Sequence, residues 1–67
     1  MDIYFNGDQT TISENLILEA FLHQHQLDDK KGLAVAVNNQ VIPKKSWTEY
    51  ILYNNDKVLV IKASQGG

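Results

Sequence analysis

Only one stretch of this chain has the spacing of an amphipathic helix, and β-favouring runs stand on both sides of it. Leu18, Phe21, Leu22 and His25 recur at i, i+3, i+4 and i+7, and Ile17 and Ala20 widen that face. Leu16 to about Gln26 holds good helix formers and neither glycine nor proline. Ser13 or Asn15 is the expected cap, with Glu14 placing negative charge near the first exposed amides. A lone helix of this length is unstable in water, so its apolar face must be covered by a sheet built from the flanking runs.

Those runs have readable turns. Ile3-Tyr4-Phe5 leads into Asn6-Gly7, the dipeptide best suited to a two-residue type I′ hairpin, and Asp8 to Ile12 returns antiparallel. After the helix, Asp28 to Gly32 is polar, and Leu33 to Val37 is apolar at every position, as an inner strand would be. Asn38-Asn39 is a second turn, because asparagine tolerates positive φ, and Val41-Ile42 returns from it. Pro43 starts a short helical turn through Lys44, Lys45 and Ser46 to Trp47, which is expected to anchor the core beside Tyr50. Tyr50 to Tyr53 reads as a brief strand, Asn54-Asn55-Asp56 as a turn, and Lys57 to Lys62 as the last strand. The expected fold is α+β: a mixed sheet of four to five strands with one main helix. Right-handed crossover makes the first and last strands parallel neighbours at the centre, the ubiquitin-like β-grasp arrangement. Residues 1–62 form that domain, and residues 63–67 are expected to be an extended, flexible tail.

Most chemistry is excluded by what the chain lacks. With 67 residues, almost every apolar side chain is needed for folding, which leaves none to line a deep cleft. There is no cysteine, so disulfides, thiolate metal sites and a cysteine nucleophile are absent, and a reducing cytoplasm is the expected location. The net charge is −2, and all six basic residues are lysines, so nucleic acid is not an expected partner. No apolar run approaches the ~20 residues of a membrane span. His23 and His25 lie two apart on the helix and cannot share a metal; His25 should be a partly buried, hydrogen-bonded packing residue and His23 a solvated one. Asp28-Asp29-Lys30-Lys31 reads as a solvated loop, and Lys44-Lys45 as an exposed turn. No resident cofactor or metal is expected, and no side-chain constellation supports catalysis.

The end of the sequence is different. It finishes Ala63-Ser64-Gln65-Gly66-Gly67, and two terminal glycines occur by chance in about one chain in two hundred. A terminal carboxylate, with a usual pKa of about 3.3–3.7, is an accessible oxygen nucleophile. Five extended residues reach roughly 16–18 Å, enough to enter a partner's active site, and glycine fits a narrow channel. Such a carboxylate can attack the α-phosphorus of ATP held by a partner enzyme, giving an acyl-adenylate. Docking needs a surface too. Val58 to Ile61 is apolar on both sides of its strand, so a helix covering one face would leave Leu59 and Ile61 on the other, with Lys57 and Lys62 at its rim.

With these residues in view, the chain resembles the sulfur carrier proteins of thiamine (thiazole) biosynthesis, small β-grasp proteins ending in Gly-Gly. The likeness runs over essentially the whole chain. It is most specific in Ala34-Val35-Ala36-Val37-Asn38-Asn39-Gln40-Val41-Ile42-Pro43-Lys44-Lys45-Ser46-Trp47, and continues in Asn55-Asp56-Lys57-Val58. His25 stands where the family more usually has leucine, the Lys44-Lys45 pair replaces a pattern that usually includes arginine, and Ser64-Gln65 makes the tail more polar. The resemblance implies that an E1-like adenylyltransferase, using ATP and magnesium that it holds itself, adenylates Gly67. A sulfurtransferase persulfide then gives a thiocarboxylate there, and thiazole synthase accepts the sulfur. Gln65 and Gly66 would be recognised by the partner enzymes, and Leu59 and Ile61 would belong to the docking face. Other readings are the small subunit of molybdopterin synthase, a ubiquitin-like modifier joined to lysines, and a binding module with an inert tail.

Overall fold

The computed structural model describes residues 1–28 and 32–62. Asp2–Phe5 (β1) and Asp8–Thr11 (β2) pair antiparallel with Phe5 opposite Asp8. Asn6 at φ 50° and Gly7 at φ 89° make the turn, the two consecutive positive values that a type I′ hairpin needs. Leu33–Val37 (β3) and Gln40–Val41 (β4) form a second antiparallel pair, turning through Asn38 at φ 53° and Asn39 at φ 70°. Lys57–Lys62 (β5) runs antiparallel to the whole of β3 and parallel to the end of β1. The sheet order is β2-β1-β5-β3-β4, so the first and last strands are the parallel neighbours expected of a β-grasp.

The helix is shorter than its apolar spacing suggests, and its start is built differently. It covers Leu18–Gln24 (α1), with Ile17 in the cap position and no side-chain cap. Asn15 instead takes φ 63° in the preceding turn. The first amides of a helix need acceptors, and here backbone carbonyls from a distant segment supply them: Leu18 N donates to Tyr50 O at 2.7 Å and Glu19 N to Trp47 O at 3.0 Å. The expected capping by Ser13 or Asn15 is therefore wrong, because tertiary contacts fill that role. At the other end, Gln26 adopts φ 60°, Leu27 N returns to Leu22 O at 2.8 Å and Gln26 N to His23 O at 2.9 Å. That pair of bonds is a Schellman motif with glutamine where glycine is usual, and it stops the helix two residues early.

Tyr50 to Tyr53 does not form a strand. Ile51 makes one bridge to Ile17, and Leu52 N donates to Leu16 O at 2.9 Å. The segment lies against the entry to the helix rather than along the sheet, so it finds no ladder to join. Pro43 does open a 3₁₀ turn over Lys44–Ser46, which delivers Trp47 to the interior. Trp47 is buried, and its indole Nε1–H donates to Ile42 O at 2.9 Å. Ile3, Ile12, Leu18, Phe21, Leu22, Val35, Val37, Leu52 and Val58 complete the core between α1 and one face of the sheet.

Candidate functional site

With α1 on one face, the pleat decides what the other face carries. Residues opposite one another in a ladder share a face, and neighbours along a strand alternate. Val35 faces Val60 and Val37 faces Val58 on the helix side. Ala34 therefore pairs with Ile61, and Ala36 with both Leu59 and Val41, on the open side, where Tyr4 pairs with Lys57. Leu59 is 46 % exposed, Ile61 54 % and Val41 69 %. Apolar side chains on the central strand thus meet solvent in a group. Both lysines at the ends of β5 are exposed, but only Lys57 is on this face, while Lys62, expected at the rim, pairs with Leu33 and alternates to the helix side. A clustered apolar patch of this kind usually marks an interaction surface. Leu59 and Ile61 lie exposed on the face away from α1, where their alternation along β5 puts them. Tyr4 and Val41 extend the patch and were not singled out from the sequence. The period-two alternation of β1 and the Asn38-Asn39 turn carry the signal that places them, once the pairing is known.

β1 stops pairing with β5 at Val58, and the side chain of Asn6 continues the ladder. Asn6 N donates to Val58 O, and Asn6 Oδ1 accepts from Val60 N, both at 2.8 Å. A polar latch fixes the start of β5. Asp56 is a buried carboxylate that accepts from Asn38 Nδ2 at 2.9 Å and Tyr53 N at 2.8 Å, while Asn38 Oδ1 accepts from Lys57 N at 3.0 Å. These bonds tie the β3–β4 turn to the strand that leads out of the domain. Burial, and then the Asp56 charge, raise the Tyr50 phenol above its ordinary pKa.

Gln65, Gly66 and Gly67, with the rest of residues 63–67, lie outside the described residues, as do Asp29, Lys30 and Lys31. The strand that leads to the Gly-Gly end is central in the sheet and stays paired with β3 as far as Lys62. The histidines are separate. His23 is exposed and its Nδ1 lies 2.9 Å from Asp28 Oδ2. His25 is also exposed, not partly buried as expected; its ring packs at 4.9 Å from Phe5 and 4.6 Å from Phe21. Among the described residues, no group of three or more His, Asp or Glu side chains could hold a metal ion. No helix there is long and apolar enough to cross a membrane.

Comparison with known proteins agrees with this architecture. The crystal structure of a thiamine biosynthesis protein (ThiS) from Geobacter metallireducens superposes with a TM-score of 0.86 over 100 % of both chains at 20 % identity. An NMR structure of a thiamine biosynthesis protein from the same organism gives 0.79, covering all of this chain and 88 % of the other at 20 % identity. Those likenesses establish the fold. The sulfur carrier protein ThiS of Escherichia coli is 29 % identical over 68 residues, covering 100 % of each chain. A thiazole synthase of Paramagnetospirillum magneticum is 28 % identical over 67 residues, and there the whole of this chain corresponds to 20 % of the larger protein. The family model described as the ThiS family matches residues 3–67, and the chain belongs to that family.

Proposed function

We propose that this member of the ThiS family carries sulfur for thiazole formation in thiamine biosynthesis, with the Gly67 carboxylate as its working group. The carboxylate oxygen attacks the α-phosphorus of ATP, pyrophosphate leaves, and the glycyl adenylate has an activated carbonyl. The outer sulfur of a sulfurtransferase persulfide displaces AMP to give an acyl disulfide. A partner-enzyme thiol then cleaves its S–S bond, being oxidised to a disulfide as the thiocarboxylate that thiazole synthase consumes is released. ATP and magnesium are held by the adenylating enzyme, and this chain acts as carrier and co-substrate rather than catalyst. Such a chain works in the cytoplasm with its partners.

The observation that carries this reading is end-to-end similarity: the family match runs through Gly67, and the Escherichia coli carrier aligns over the full length of both chains. The thiazole synthase relative supports that partner, since a stretch like this chain lies within a polypeptide of that name. The exposure of Leu59 and Ile61 on the open face supports docking of the enzyme there; Gln65 and Gly66 then guide Gly67 into its site. ATP–pyrophosphate exchange with the adenylating enzyme tests the first step. The intact chain should support exchange, and chains that lack Gly67 or carry a Gly67 amide should not. Equal exchange with the amide would refute the assignment.

A further inference from the structure

We propose that Asn6 is a site of spontaneous covalent modification, in which the Gly7 backbone nitrogen closes onto the Asn6 side-chain amide when the β1–β5 seam opens. The chain has six asparagines, at positions 6, 15, 38, 39, 54 and 55, and only Asn6 is followed by glycine. The attacking nitrogen belongs to the following residue, so a side chain there obstructs approach to Cγ. Gly7 has none, and apart from its chain neighbours no residue has a heavy atom within 4 Å of where its Cβ would stand. Asn6 itself is exposed in the β1–β2 turn.

The step needs only water and a solvent base. Base removes the Gly7 amide proton, the nitrogen lone pair forms a bond to Asn6 Cγ, and the Cγ–Nδ2 bond breaks as ammonia leaves with a proton. The resulting five-membered imide adds one water at either carbonyl, giving aspartate or isoaspartate. One water enters, one ammonia departs, and nothing is oxidised or reduced.

The fold restrains this reaction. Asn6 Oδ1 is held by Val60 N, Asn6 N is held by Val58 O, and φ is fixed at 50° by the hairpin, so the side chain is turned toward β5. Cyclisation requires those bonds to open. Aspartate can take up the Val60 bond again with a carboxylate oxygen. Isoaspartate adds a backbone atom to a two-residue turn, so the turn and the seam cannot both re-form. Asn6 also shares a hollow of 330 Å³ with Tyr4, Lys57 and Leu59 on the open face, so either product sets a carboxylate beside the docking patch. That last consequence rests on the proposed function; the chemistry does not.

The protein is incubated at mildly alkaline pH, folded and in urea, and digested for mass spectrometry, with isoaspartate scored by enzymatic methylation. Residue 6 should convert before any other asparagine in both conditions. The folded rate should be at least about tenfold lower, the scale of one lost hydrogen bond. The isolated isoaspartyl form should have lost hydrogen-exchange protection at the Val60 amide. Prior conversion of another asparagine, equal rates in the two conditions, or full Val60 protection in the isoaspartyl form would each overturn the proposal.

Discussion

Replacing Leu59 and Ile61 together by threonine separates docking from folding. Both side chains point away from α1 and are 46 % and 54 % exposed, so folding has used only about half of their burial. Complete burial of such a side chain is worth about 1.5–3 kcal/mol, which leaves roughly 0.8–1.5 kcal/mol for each to gain against a partner. The pair then accounts for roughly 1.5–3 kcal/mol of association, or about ten- to a hundredfold in Kd. Threonine is β-branched and suits β5, and changes on a solvent face shift stability by only about 0.5 kcal/mol each. Titration calorimetry against the adenylating enzyme, with thermal unfolding as the control, reads both quantities. The expected result is affinity reduced by that factor with unfolding little changed, while Glu19→Gln, on the helix, leaves affinity intact. An unchanged Kd for the folded double variant would refute the assignment of the open face.

Gln26→Gly should stabilise the protein by about 0.5–1 kcal/mol in chemical denaturation, because glycine relieves the cost of φ 60° at the end of α1. Asp56→Ala should destabilise it by about 2–4 kcal/mol by the same measurement, since the Tyr53 amide and the Asn38 side-chain amide both lose a charged acceptor. The Asp2 carboxylate is held below its ordinary pKa by hydrogen bonds from Thr11 Oγ1 and then Gln9 Nε2. A lowered folded pKa stabilises the protein above the ordinary aspartate range and is lost as pH falls through the folded value. Acid unfolding below about pH 4 should therefore be less steep in Asp2→Asn than in the parent.

Where local chemistry alone decides a conformation, the sequence was sufficient. Asn6-Gly7 and Asn38-Asn39 have positive φ at all four positions because these residues tolerate it and two-residue hairpins require it. Lys57–Lys62 and the Pro43 turn were legible for the same kind of reason. The helix start was not, because its amides are satisfied by Trp47 and Tyr50, some thirty residues away in the chain. The tyrosines at 50 and 53 have β-favouring side chains, yet a strand needs a ladder, and among the described residues that segment makes a single bridge, Ile51 to Ile17. His25 occupies an apolar helical position but sits at the margin of the core, where ring contacts with Phe5 and Phe21 replace burial. Leu33 to Val37 is apolar throughout, but Ala34 and Ile61 lie on the uncovered side of the sheet. The apolar character that looked like double burial belongs in part to the open face. Leu59 and Ile61 could be named from β5 alone, whereas Tyr4 and Val41 join them only through strand pairing.

The central claim is that sulfur is carried on Gly67. The most direct test is the intact mass of this protein after reaction with the adenylating enzyme, ATP, magnesium and a sulfur source. The account predicts replacement of one oxygen by one sulfur, mapped by fragmentation to Gly67 and lost in a chain amidated there. An unchanged mass with active enzyme, or sulfur found at any other residue, would contradict it.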